Sequence, residues 1–483
     1  MSDITRRRFL ESSLLTALTA VGVSASGNAK PLRSSRRGIS ANDRIRVACI
    51  GVNGRGKAHI DAYLSHSDAE LVTICDCDSS VVARAQASVE KKGKPKPQGE
   101  QDLRRVLDDK NIDAVSIATP NHWHSLAAIW ALQAGKDVYV EKPVSHNVSE
   151  GRRVVEAARK YNRICQAGTQ SRSHKAMQEA MAYIHAGKIG KVTLARGLCY
   201  KTRNSIGKVT GPQPVPSSVD YDLWLGPAPE KPPMRAQFHY DWHWFWDYGN
   251  GDLGNQGIHQ MDIARWALNK SALPESVFSL GGRFGYDDNG ETPNTEISFF
   301  DYGDAHLIFE VRGLKTGPQD GVKIGDVIYG TEGVVAITDD YGKAVALDNQ
   351  GNVVMQFHGG GDHFGNFLAA VRSRNMSDLH GDIEEGHISS ALCHLGNISF
   401  RLGQPQPFQS TPHAFGDDKE AAATFARFEQ HLGDNGISLQ ETNYHVGPKL
   451  AIHSGTERFA GNNTANAMLT RRYRKPYVVP ESV

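Results

Sequence analysis

Two polar clusters in this chain have the residue types and spacing for proton chemistry. Glu141-Lys142-Pro143 follows the apolar run Asp137–Val140, which places Lys142 at the carboxyl end of a predicted strand. A lysine there can take a hydroxyl proton and balance the developing alkoxide, provided desolvation lowers its pKa toward neutrality. Further on, Gly249–Asp262 runs from a glycine-rich loop into a predicted helix. On it Asn255, His259, Asp262 and Trp266 stand at i, i+4, i+7 and i+11, which is one helical face. His259 can accept a proton; Asn255 cannot. Just upstream, Tyr240–Tyr248 is dense in aromatic residues, among them Trp242, whose faces suit the C–H surface of a polyhydroxylated ligand. His239 and His243 are spaced i, i+4, but no third ligand accompanies them, so no metal site is predicted.

The elements that position Lys142 are legible as a series. Arg44–Ile50 is a β-branched run that breaks at Gly51-Val52-Asn53-Gly54-Arg55-Gly56. A helix-like stretch follows to Ser65, and Leu71–Cys75 is the next strand, ending in Asp76. Strand, glycine turn, helix, strand and terminal acid make up the dinucleotide fingerprint in its required context. Gly51 permits the tight turn, and bare backbone at Asn53 and Gly54 lets a pyrophosphate approach a helix N-terminus. Asn53 stands where the standard motif has glycine, and asparagine is the residue that best tolerates positive φ there. Asp76 would accept hydrogen bonds from a ribose and repel a 2′-phosphate, which favours NAD over NADP.

The alternation continues. The strand Ile112–Thr119 runs into a loop Pro120-Asn121-His122-Trp123-His124, then into a helix-like stretch from Ser125 to Ala134 closed by Gly135. Ligands of doubly wound sheets bind beyond the carboxyl ends of the strands. The expected cofactor shell is therefore Gly51, Asn53, Gly54, Arg55, Gly56, Asp76, Thr119, Pro120, Asn121, His124, Glu141, Lys142 and Gln170.

The segments GVNGRG, ATPNHWH, VYVEKP and NQGIHQMD, in this order and spacing over Arg44–Gly403, resemble the Gfo/Idh/MocA family of glucose–fructose oxidoreductase and inositol dehydrogenase. The resemblance implies an NAD(H)-dependent oxidoreductase acting on a sugar, polyol or sugar derivative. It implies catalysis by Lys142 and His259 and substrate contacts from Lys142, His259 and the position of Asn255; the aromatic stretch adds Trp242 and the helical face adds Asp262 to the expected substrate contacts. The family lysine acts as the base, and Pro143 is implied to hold its loop rigid. The family also has an acid four residues before the histidine; here that place is Asn255. Either His259 is then the sole proton acceptor, or Lys142 is the base with His259 orienting the substrate. The missing acid keeps a second function open, namely redox-neutral cleavage or isomerisation of a glycoside by oxidation and elimination. A non-catalytic sugar-binding protein is the third reading, and Lys142 with His259 argues against it.

The fold class expected is α/β: an N-terminal Rossmann domain (44–169) with a doubly wound parallel sheet, then an α+β domain (170–403) with an open, largely antiparallel sheet. Residues 404–483 are set apart as a C-terminal extension. Strands are expected at Val192–Tyr200, Ser276–Leu280, Thr295–Phe300, Ala305–Val311, Val327–Tyr329 and Val334–Ile337, with late helices at His363–Arg374 and Glu384–Leu402. Ile206–Pro233, rich in Pro, Gly and Ser, is expected to lie as a loop over the pocket. The family resemblance implies helices on one face of the second sheet and a homo-oligomer formed through it.

Composition narrows the partners. A formal net charge of +1 gives no reason to invoke nucleic acid or an anionic membrane surface. Six cysteines are too few for a disulfide framework. At the N-terminus, Thr5-Arg6-Arg7-Arg8-Phe9-Leu10, the apolar stretch Leu14–Val23 and an alanine-rich zone resemble a twin-arginine export signal over residues 1–29, with 30–43 as linker. The h-region is too short to span a bilayer. That address predicts a folded, periplasmic protein carrying its cofactor tightly bound, since little free NAD exists outside the cytoplasm.

Overall fold

A computed structural model describes residues 43–408 and 412–483. The predicted export signal, and the linker up to residue 42, lie outside the described residues. No described helix is long and apolar enough to cross a membrane.

Six strands, β1 (Ile45–Ile50), β2 (Ala69–Cys75), β3 (Gln98–Glu100), β4 (Ala114–Ile117), β5 (Asp137–Val140) and β6 (Cys165–Ala167), form a parallel sheet in the order β3-β2-β1-β4-β5-β6. Its central strands are near-continuous apolar runs because helices cover both faces. Helices Gly56–Ser65, Ser79–Lys91 and His363–Ser373 bury one face, and Asn121–Gln133 with Val148–Lys160 bury the other. The strand order reverses between β1 and β4, and the crevice above that switch point is where such sheets bind ligands.

Two sequence expectations about the loops at this crevice are corrected. Asn53 is not among the described residues with positive φ; in the turn only Gly51 is (φ 80°). A Cβ on Gly51 would lie 2.6 Å from Thr119 N, and one on Gly56 only 2.0 Å from Gly51 O. Those two positions demand glycine because backbone meets backbone there, whereas Asn53 adopts an ordinary conformation. Second, Asn121–His124 is not a loop. The helix begins at Asn121, with Pro120 as its N-cap. Proline pre-sets the entry angle and lacks the N–H that would go unpaired there.

The second sheet has twelve strands. Its main path runs β14-β13-β12-β11-β7-β10-β9-β8-β16-β15, where β7 is Val192–Cys199, β8 Ser276–Gly282, β9 Thr295–Asp301, β10 His306–Arg312, β11 Ile324–Gly330, β12 Gly333–Thr338, β13 Lys343–Asp348, β14 Val353–His358, β15 Gln404–Pro407 and β16 Asn443–Val446. All its pairings are antiparallel except β7 with β10. Helices Lys175–His185, Gly257–Ala267 and Ile383–Arg401 pack on one face.

The opposite face is covered too, contrary to the one-sided expectation. The helix Lys419–Asp434 lays Phe425, Phe428 and Leu432 over Leu194, Phe278 and Ile308. Beneath it the buried Arg196 donates to Glu310 at 2.5 Å and to Thr424 at 3.1 Å. Residues after 403 therefore do not form a separate appendage: β15 and β16 extend the sheet, and Tyr477 and Val479 return to the Rossmann core beside Trp123.

Candidate active site

The crevice opens into a cavity of about 720 Å³ that runs from the glycine turn to His259. At the turn end, Gly54 faces open space, with nothing within 4 Å of a Cβ built on it. Asp76 accepts from the backbone N–H groups of Val52 (2.9 Å) and Asp78 (3.1 Å), which aims its carboxylate along the wall; burial raises its pKa despite them. Thr119 Oγ1 and Asn121 Oδ1 also line the cavity, buried and unpartnered. A tight glycine turn, a terminal acid and unmet polar atoms fit a dinucleotide and explain why these residues bear polar groups at a buried edge.

In the middle stands Glu141, 3% exposed. Arg55 Nε donates to it at 2.8 Å, His59 Nε2 at 3.1 Å and Gln170 Nε2 at 3.0 Å. Burial alone would raise this carboxyl, but the His59 hydrogen bond and the Arg55 guanidinium outweigh it and hold the pKa well below the usual range. His59, buried, has its own pKa lowered and is neutral; with its proton on Nε2, its Nδ1 accepts from Ser116 Oγ at 2.8 Å. Glu141 is thus a fixed anion whose backbone continues directly into Lys142.

Lys142 Nζ donates to the Asn255 carbonyl at 2.6 Å. Burial lowers its pKa, against the attraction of Glu141. The Lys142–Pro143 peptide is cis. His124 bridges Thr119 O (2.7 Å) and Pro143 O (2.6 Å), tying the start of the helix Asn121–Gln133 to the lysine loop. His259 also lines the cavity; its Nδ1 is buried without a partner, and burial, then the neighbouring Lys142, lowers its pKa to about 3. Trp242 also lines the cavity, stacked on His243 with ring centroids 3.7 Å apart.

The expected helical face Asn255–Asp262 is not continuous. The helix breaks at Gln256, between Gly251–Asn255 and Gly257–Ala267. Asn255 still lines the cavity, and its backbone carbonyl is what meets Lys142. Asp262 is corrected: it is 1% exposed, lies outside the cavity lining, and is held by Arg172 through two 2.8 Å bonds and by Ser389 at 2.7 Å. Losing one partner of such a buried pair costs about 3–5 kcal/mol, so its work is structural. Gly56 is likewise a packing residue that does not line the cavity. Asn53, Arg55, Pro120 and Gln170 do line it.

The two spaced histidines part ways. His239 pairs with Asp78 at 2.9 Å, while His243 bonds the Tyr240 carbonyl at 2.6 Å. Among the described residues, no group of three or more His, Cys, Asp or Glu side chains is arranged to hold a metal ion. Three residues that sequence reasoning passed over also shape the site: Lys201, Arg203 and Gln256. Lys201 follows the carboxyl end of β7 by two residues, and that position was the signal that could have flagged it.

A six-stranded Rossmann sheet with a glycine turn at its switch point, joined to a mixed sheet that brings a lysine and a histidine to one cavity, defines a class of nicotinamide-dependent enzymes. Residues 45–169 match the NAD-binding Rossmann domain of the Gfo/Idh/MocA oxidoreductase family, and residues 188–432 match its C-terminal alpha/beta domain; the chain belongs to this family. Among curated relatives, glycosyl hydrolase family 109 protein 1 of Shewanella sp. (strain ANA-3) and the alpha-N-acetylgalactosaminidase of Shewanella oneidensis are each 32% identical over 179 residues. Those alignments span 34% of this chain and 39% of either relative. The WlbA dehydrogenase of Bordetella pertussis, solved with NADH and UDP-GlcNAcA, shares the fold with a TM-score of 0.54 at 23% identity, over 73% of this chain and 95% of that one.

Proposed function

We propose that this chain cleaves a glycosidic bond with no net redox change, keeping NAD bound through the cycle. The observation that carries the reading is the presence of two bases on one cavity, Lys142 and His259, neither paired with a carboxylate. Net oxidation of a carbinol requires one base, whereas oxidation followed by elimination requires two, one for the hydroxyl proton and one for the ring C–H proton beside the new carbonyl. The similarity to glycosyl hydrolases of family 109 supports the same choice over simple sugar oxidation, which the sequence alone had put first.

Gly51, Gly54, Asp76, Thr119 and Asn121 would hold the cofactor, which when bound supplies a hydride acceptor and returns the hydride at the end. Lys142 takes the hydroxyl proton and balances the alkoxide. His259, neutral above pH 3 or so, removes the C–H proton; as the ring C=C forms, the C–O bond to the aglycone breaks and its oxygen takes a proton from solvent, and a water then adds across the C=C to restore the sugar. Trp242 carries the apolar face of the ring. The export address at residues 6–10, with a periplasmic location, belongs to the same proposal, since a resident cofactor suits a compartment without free NAD.

The test follows aglycone release and the reduced-nicotinamide absorbance together across a panel of glycosides, α-N-acetylgalactosaminides included. Release without accumulating NADH is expected. Stoichiometric NADH without release would overturn the reading in favour of a sugar dehydrogenase.

A further inference from the structure

Charge is distributed unevenly along the cavity. Among the described residues its lining holds two carboxylates, Asp76 at the glycine turn and Glu141, which Arg55 already pairs at 2.8 Å. Beyond Glu141 the wall carries three cations: Lys142, Lys201 and Arg203. Arg203 is neutralised, because it forks onto Asp252 with Nε at 2.9 Å and Nη2 at 2.6 Å. The two lysines are not. Lys142 Nζ rests on the Asn255 carbonyl at 2.6 Å, and Lys201 Nζ on Gln256 Oε1 at 3.4 Å. Each is met by the oxygen of a dipole, on consecutive residues of the same helix break.

The histidines add no compensation. His243 and His259 are held neutral by burial, each near 3. The two ammonium groups feel one another, since Lys201 acts to lower the pKa of Lys142. Lys142 works in its deprotonated form, so the lasting unmatched charge is that of Lys201, and one such cation in a partly enclosed, aromatic-walled cavity favours an anionic ligand. Lys142 has proton work to do at the reacting hydroxyl. Lys201 has none, and it stands on the same wall.

We infer that the substrate is an anionic sugar, one whose ring in this cavity bears a carboxylate or a sulfate, and that Lys201 is the residue that receives that charge. The inference rests on the cavity being the glycoside site proposed above. It names a specificity residue, Lys201, that takes no part in proton transfer.

Matched chromogenic glycosides separate the possibilities: a galactoside, the corresponding galacturonide, and the galactoside 6-sulfate, each assayed for kcat/KM with the wild type and Lys201→Gln. One charged member is expected to exceed the neutral one by about 10-fold or more, as a single close ion pair in a shielded site provides. Whether carboxylate or sulfate gives the preference identifies the group. Lys201→Gln should remove most of that preference, read as the ratio of charged to neutral kcat/KM within each enzyme, and added salt should erode the ratio in the wild type.

A neutral glycoside handled as well as both charged ones overturns the inference, as does a Lys201→Gln variant that depresses all three equally. Aglycone release without preference sinks this inference and leaves the glycosidase reading standing. A charge preference in net NADH formation does the reverse. If none of the three is turned over, calorimetric binding of galacturonate and galactose 6-sulfate against galactose decides, and equal affinities overturn it.

Discussion

On the proposed mechanism Lys142 and His259 divide the proton work by their surroundings. Burial lowers the pKa of Lys142, and as a base it acts only when deprotonated, so the rate should rise with pH through a value below the ordinary lysine range. His259, near 3, is already neutral and should contribute no acidic limb above pH 4. Lys142→Met is expected to lose about 10³-fold in kcat/KM, and His259→Gln about 10²-fold with the rising limb retained. A rising limb that disappears in His259→Gln would reassign the titrating base. A third residue bears on stability alone. Glu296 on β9 is 2% exposed with Oε1 unpartnered, and burial pushes its pKa to about 8. Between about 4.5 and 8 the folded state holds a proton that the unfolded chain has released, so this group costs stability as pH rises. Glu296→Gln should therefore be more stable than the wild type at pH 8 by more than about 1 kcal/mol and by much less at pH 5, read from denaturant unfolding at both. An equal difference at the two pH values would mean that Glu296 is ionised throughout.

At the scale of elements, the sequence was most informative where one residue type alone can satisfy the backbone. Gly51 and Gly56 were legible because a Cβ there meets main chain, and the strand Asp137–Val140 because a strand covered on both faces favours an apolar run such as Val138–Val140. Legibility failed where a side chain answers to a distant partner. Asp262 reads as a site residue from helical spacing, yet its orientation is set by Arg172, 90 positions away, and the break at Gln256 disrupts the spacing argument. His59 gives no local hint that it holds Glu141. Strands β13 and β14 were missed; β14, at the sheet's edge, is exposed along most of its length, so no buried alternation marks it. The proline-rich segment, expected as a loop over the pocket, does reach the cavity wall, but through Leu223 and Trp224 of the short helix Tyr221–Leu225. What it is fastened to could not be read.

Those fastenings belong to the whole molecule, because three distant parts of the chain close around the cavity. The segment after β7 is latched to the loop beyond Asp76: Ser79 N donates to Ser218 O and Asp220 N to Cys77 O, both at 2.9 Å, and His239 pairs with Asp78. Its short helix Tyr221–Leu225 rests on Trp123, whose Nε1 donates to Leu223 O at 2.9 Å. Across this helix lies the C-terminal tail. Arg474 donates to Gly226 O (3.0 Å) and Asp222 O (2.7 Å) and also pairs with the Asp222 carboxylate, and Tyr477 Oη donates to Asp222 Oδ2 at 2.6 Å. The ring of Tyr477 meets Trp123 edge-on at 5.4 Å. The tail thus fastens the short helix Tyr221–Leu225 against the helix Asn121–Gln133, whose first turn lines the cavity. If NAD is a resident catalyst, Asp222→Ala should release it faster than the wild type, by about 10-fold for the loss of one hydrogen-bonded anchor to two partners. The measurement is nucleotide retained after repeated gel filtration, with the melting temperature of the nucleotide-free forms as control. Unchanged retention in Asp222→Ala would show that the tail stabilises the fold without governing the cofactor.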